Sequence, residues 1–133
     1  MFKRTAILGT IIVAGLALAS APALAKTTTA KPPFDFSGAW SSSYGDMRVA
    51  QTGASFTGSY PSNHGRFAAT VTDNVAHGVW AQSTGSVRCG TMKLNSYYWG
   101  KLEFIGQPGE RRFEGSWSYC DGAYSGPWEG KRP

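Results

Sequence analysis

A short motif, apolar-x-Gly-x-aromatic, returns along this chain and limits what the chain can fold into. It reads Phe36-x-Gly38-x-Trp40, Phe56-x-Gly58-x-Tyr60, Ala76-x-Gly78-x-Trp80, Phe113-x-Gly115-x-Trp117 and Tyr124-x-Gly126-x-Trp128. Alternation with period two is the signature of a strand. The first three glycines are spaced 20 residues apart. Such a step holds two strands of about six residues and two turns. The repeating unit is therefore a β-hairpin, and the chain reads as an antiparallel meander.

Turn residues punctuate that meander. Ser42-Ser43-Tyr44-Gly45-Asp46, Gln51-Thr52-Gly53, Pro61-Ser62-Asn63-His64-Gly65, Asp73-Asn74, Gln107-Pro108-Gly109 and Asp121-Gly122 all carry turn chemistry. Strands are predicted between them, at 35–41, 46–51, 54–60, 66–72, 75–81, 97–105, 112–119 and 126–131. Gln82 to Ser96 is polar and Gly/Ser-rich, with a further short strand expected near Val87 to Leu94. No helix longer than a turn is expected.

Glycine inside a strand marks a bulge, a bend or a close approach of neighbouring backbone. Here each glycine is followed two positions later, on the same face, by Trp or Tyr. A ring can lie over the bare backbone of a neighbouring strand's Gly. Glycine kinks also let a sheet curl until its edges meet. The expectation is an all-β fold: an antiparallel meander of about eight strands forming a small closed or nearly closed barrel. An open, strongly twisted sheet would use the same contacts. Each buried ring removes ~150–250 Å² from water, worth some 4–6 kcal/mol as an upper bound.

The rings are needed because ordinary core residues are scarce. Met1 to Ala25 reads as a secretory signal: Lys3-Arg4, an apolar run from Ala6 to about Ala19, then Ala23-Leu24-Ala25 at the cleavage site. The run is too short to span a bilayer, so no transmembrane segment is expected. After it, one Ile, two Leu and five Val remain, beside 17 of the 18 aromatics and 15 of the 17 glycines. Lys26 to Pro33 reads as a flexible lead-in, and 34–133 as one barrel domain. Export to a periplasm or the medium favours pairing Cys89 with Cys120, the only cysteines. In the chain-entropy model a loop of roughly 32 residues is worth about 3.7 kcal/mol.

The motifs Gly38-Ala39-Trp40 and Thr57-Gly58-Ser59-Tyr60 resemble those of the avidin and streptavidin barrels. Lipocalins share the first motif and pack a basic residue from the C-terminus across the Trp. Arg132 or Lys131 stands at the matching place. The chain also resembles small secreted bacterial β-proteins with repeated G-x-W or G-x-Y strands. Carried over, the avidin pattern implies ligand contacts at Ser42, Asp46, Tyr60 and Ser62. Two of these depart from biotin binders: Ser42 replaces an Asn, and Asp46 replaces a hydroxyl donor with a carboxylate that accepts only.

No catalytic constellation is read. A G-x-S-x-G elbow is absent, and His64 and His77, the two histidines, fall in a turn and on an outward face. Glu103, Glu114 and Glu129 alternate against apolar neighbours and should face water, near Lys101, Arg112 or Lys131. No metal cluster or dinucleotide fingerprint appears, and no cofactor is expected. Without Lys3 and Arg4, 11 basic residues face 8 acidic ones. A charge of +3 on an exported domain suits envelope polyanions better than nucleic acid.

The functional expectation is a non-enzymatic exported binding domain, in one form an inhibitor. A protein or envelope glycan fits a ring-filled barrel better than a deeply buried small molecule. The contact residues expected are Ser42, Tyr44, Asp46, Tyr60 and Ser62 at one mouth, or Tyr97 and Trp99 on an outer face. Alternatively, Gln82 to Ser96 folds over those two rings. A calycin-like small-ligand carrier is the second reading, with a cavity of ~300 Å³ or more near Ser42, Tyr60 and Trp80. A small periplasmic hydrolase is the third.

Overall fold

The computed structural model describes residues 32–133. The signal segment and the lead-in as far as Lys31 lie outside the described residues. Nine strands follow one another: β1 (Gly38–Ser42), β2 (Gly45–Thr52), β3 (Ser55–Tyr60), β4 (Gly65–Thr72), β5 (Val75–Gln82), β6 (Tyr98–Gly106), β7 (Arg112–Trp117), β8 (Gly126–Pro127) and β9 (Gly130–Lys131). Neighbours pair antiparallel from β1 through β7, and β9 joins β7 to β1. Eight strands thus close a barrel, and β8 pairs antiparallel with β7 as a ninth. Closure removes the open edges that a meander would otherwise expose.

The register explains the glycines. Seven of them sit directly opposite a ring across a strand pair: Gly58–Phe67, Gly65–Tyr60, Gly100–Trp80, Gly106–Phe113, Gly115–Phe104, Gly126–Trp117 and Gly130–Phe113. A Cβ on Gly58 would lie 2.3 Å from the Phe67 ring, and one on Gly130 would lie 2.2 Å from Phe113. At Gly58, Gly65, Gly126 and Gly130 that ring occupies the volume that a side chain would need. At Gly78, Gly100 and Gly115 the backbone of Ala68, Ser118 and Glu103 comes nearest instead, and at Gly106 the Phe34 ring does.

The interior is a stack of rings. Phe36, Trp40, Phe56, Phe67, Phe104, Phe113 and Trp128 are all buried, with Met47, Val71 and Leu102 between them. Phe104 meets Phe113 at 4.4 Å between centroids and Trp128 at 5.1 Å. Such tilted and edge-on pairs are the favoured aromatic geometries. Aromatic side chains therefore supply the core that three large aliphatic residues could not.

Four expectations about strands are corrected. β1 begins at Gly38, not residue 35, because Phe34 to Ser37 crosses the end of the barrel and closes it. There Phe34 N–H donates to Asp73 O (2.6 Å), Phe36 N–H donates to Gln51 Oε1 (2.8 Å), and Phe36 is buried. β7 stops at Trp117, where the chain leaves the barrel wall. No strand spans Val87 to Leu94; only a Lys93–Ser96 bridge forms there. The last strand divides at Trp128–Glu129, where Trp128 N–H still donates to Gly115 O but Glu129 O accepts from Ser43 N–H. Its register is unbroken (Ser116 with Pro127, Phe113 with Gly130), and the division is where the chain begins to bond β1 as well.

Cys89 and Cys120 form a disulfide, with Cα atoms 5.6 Å apart. It ties the β5–β6 loop, residues 83–97, to the loop after β7, residues 118–125. Under the first loop lies a small second core of Ala81, Cys89 and Trp99.

Candidate functional site

The two barrel ends differ. One is closed by Phe34 to Ser37. The other carries the β1–β2 turn, the β3–β4 connection and both disulfide-linked loops. At this open end lies a cleft of about 230 Å³.

Its walls are rings. Tyr60 comes from the end of β3, Trp80 from β5, Trp117 from β7, and Tyr44 from the β1–β2 turn. Tyr98, Tyr119 and Trp128 complete the lining. Trp80, Trp117 and Tyr119 stand nearly perpendicular to one another, at interplanar angles of 71° to 87°. The polar groups are hydroxyls and amides: Ser62, Asn63, Gln82 and Ser86. No lining residue carries a charge.

Hydrogen bonds hold these walls in place. Trp117 Nε1 donates to Tyr44 Oη (2.7 Å), and Trp80 Nε1 donates to Ser118 O (3.1 Å). Trp128 Nε1 donates to Ser42 Oγ (3.3 Å). Gln82 Nε2 donates to Tyr60 Oη (2.9 Å), and Asn63 Nδ2 donates to Gln82 Oε1 (3.4 Å). With the indole N–H groups satisfied internally, the rings are pre-organised and offer apolar faces to a ligand. Burial pushes the Tyr60 hydroxyl up to about 12, against the smaller opposing effect of its Gln82 bond. It stays a neutral donor and acceptor across the ordinary pH range.

The expected contact residues divide three ways. Tyr44, Tyr60 and Ser62 do line the cleft. Ser42 lies behind it, where its hydroxyl donates to Gly45 O (2.6 Å) and accepts from Trp128. Asp46 lies on the outer face of β2, exposed, opposite buried Met47 in the alternation, and does not line the cleft. Trp99 is not an outer contact either. It points outward from the barrel wall, but the 83–97 loop covers it to 1% exposure. Its Nε1 donates to Thr91 O (2.7 Å), and Lys93 Nζ lies 4.9 Å from the ring centre. Tyr97 stays half-buried, with the Arg88 guanidinium 4.1 Å above its ring.

Trp117, Trp128 and Gln82 were not among the expected contacts, whereas Trp80 was expected beside the cavity of the carrier reading. A signal for Trp117 was present. A repeat of one hairpin makes every second strand run the same way, so the ring after each glycine collects at one end. Trp40 is the exception, because strand stagger sets it beside Phe36 and Phe113 near the closed end.

The carboxylates lie elsewhere. Glu103 meets His77 at 2.6 Å on the outer wall, and Glu114 pairs with Arg112 at 3.2 Å. Among the described residues, no three of His, Cys, Asp and Glu gather where they could hold a metal. No helix among them is long and apolar enough to cross a membrane.

No family model matches the chain, and neither the curated proteins nor the solved structures hold a significant match to it.

Proposed function

We propose that this chain is an exported, non-enzymatic binding domain whose barrel mouth takes the end of a neutral, ring-bearing ligand. The terminal sugar of an envelope glycan is the chemistry that suits it best. One observation carries the reading: a cleft walled by seven rings, with hydroxyl and amide groups but no charge among its lining residues. Flat rings cover the C–H face of a sugar, and amides serve its hydroxyls as donor and acceptor. At about 230 Å³ the cleft falls below the roughly 300–1,000 Å³ of drug-sized sites, so it admits one ring and leaves the rest outside. The disulfide supports an oxidising destination, the periplasm or the medium.

A calycin-like carrier of a free small ligand is the second reading. The closed far end, the mouth cleft and the stack of Arg132 on Trp40 favour it.

One titration separates the two. The chain from Lys26 onward is followed by tryptophan fluorescence against neutral glycan fragments of increasing length and against small apolar ligands. Saturable binding of the fragments, weakened about tenfold or more by Tyr119→Ala or Gln82→Ala, supports the glycan reading. Binding of apolar ligands alone transfers the site to the carrier reading. If neither class binds, or if the variants bind like the parent, the mouth is not the site.

A further inference from the structure

The four large apolar side chains most exposed among the described residues all lie on the two loops joined by the disulfide. Val87, Met92 and Leu94 are 39%, 49% and 36% exposed on the 83–97 loop, and Tyr124 is 43% exposed on the other. We infer that these linked loops form a docking face for a bilayer surface bearing anionic phospholipid headgroups. The inference does not rest on what the mouth binds, although Val87 also stands on the rim of the cleft.

Charge selects the occupant. From Asn74 to Leu102 the chain has no carboxylate, while Arg88, Lys93 and Lys101 fall within that stretch. Asp121 is the one acid on either loop, and Glu103 of β6 lies near Tyr124. Each of the three cations lies over a ring, at 4.1 Å for Arg88 on Tyr97, 4.9 Å for Lys93 on Trp99 and 5.0 Å for Lys101 on Tyr124. The stems are thus steadied while the chain alternates apolar and basic residues, Val87-Arg88 and Met92-Lys93-Leu94. Apolar tips set among cations are what an anionic interface attracts and accepts.

Backbone geometry gives a second reason. Lys93 and Ser96 exchange both backbone hydrogen bonds, at 2.9 and 3.0 Å, around Leu94 and Asn95. Both central residues are left-handed, with φ of 48° and 59°. Such a turn favours Asn or Gly, and a bulky residue there is strained. Leu94 is therefore unfavourable twice, as a left-handed leucine and as an exposed one. The turn is nonetheless braced: Arg66 Nε donates to Leu94 O (2.9 Å), and its Nη2 donates to the same oxygen. A costly side chain held firmly at a loop tip suits insertion into an interface.

The test is vesicle co-sedimentation of the chain from Lys26 onward, which keeps the whole compact unit. Vesicles of phosphatidylcholine are compared with others in which about a third is phosphatidylglycerol, at low and high salt. Binding to the anionic vesicles alone, lost at high salt, is expected. Arg88→Gln with Lys93→Gln should weaken it about 30-fold, from about 1 kcal/mol per cation. Leu94→Asn should weaken it several-fold while raising the melting temperature, because it relieves the turn. Equal binding to both vesicle types, or none to either, overturns the inference. So does a Leu94→Asn protein that melts higher yet binds as before. A concentration-dependent dimer abolished by Leu94→Asn assigns the face to a second copy and overturns it too.

Discussion

The guanidinium of Arg132 lies over the indole of Trp40, 4.1 Å from the ring centre. Its two terminal nitrogens donate to Ser37 O and Asp35 O. One side chain, next to Pro133, thus fastens the closing segment, β1 and β9 together. A cation on an indole face, with two charge-assisted bonds, is worth a few kcal/mol when partly desolvated.

Arg132→Ala should therefore lower the urea unfolding free energy by about 2–3 kcal/mol. Arg132→Lys should recover less than half of that, because an ammonium lacks the planar fork that reaches two carbonyls. Equal stability of the Lys variant and the parent would show that charge alone matters here.

The glycine–ring pairs predict position-dependent effects of one methyl group. Gly58→Ala and Gly130→Ala should each cost about 1–3 kcal/mol or more, since the new Cβ would meet a ring at 2.3 and 2.2 Å. Gly90→Ala should change stability by less than ~0.5 kcal/mol, because nothing lies within 4 Å of its Cβ position. Denaturant midpoints of the three variants check this.

Reducing the Cys89–Cys120 bond, which spans 31 residues of sequence, should cost about 3–4 kcal/mol. The barrel ladders do not pass through it, so far-UV circular dichroism should keep its strand signal after reduction. Mouth binding should weaken in parallel, because Gly85, Ser86 and Val87 of the tied loop form part of the rim.

Stability should fall as pH rises from about 10 to about 12. Tyr60 ionises near 10 when unfolded but is pushed up to about 12 in the barrel by burial. Over that window the unfolded chain holds fewer protons than the folded one, so the unfolding free energy declines, by about 2–3 kcal/mol in all. Below pH 10 the residue contributes no slope. Urea midpoints measured across the window should decline less steeply in Tyr60→Phe.

Much of this barrel was legible in the chain. Strand positions for β2 to β6 match the predicted ones to within about a residue, because period-two alternation and turn chemistry are local properties. The site was legible only in part. Tyr44, Tyr60 and Ser62 line the cleft, but Asp46, which the likeness to another barrel's turn implies, does not. Its neighbour Met47 is the inward residue, and adjacent strand positions cannot share a face. Trp99 shows the opposite limit. Its outward direction follows from the alternation, yet its burial depends on a loop with no periodicity of its own.

By itself, the order of residues determined an antiparallel sheet packed with rings, because aliphatic side chains are this few; whether that sheet stays open or closes into a barrel was left to the tertiary structure. Tertiary structure alone decided which rings end as packing and which as the wall of a cleft. Strand stagger, the crossing of Phe34 to Ser37 and the course of the 83–97 loop set that division. Each depends on contacts between residues far apart in the chain, and a local pattern carries no record of them.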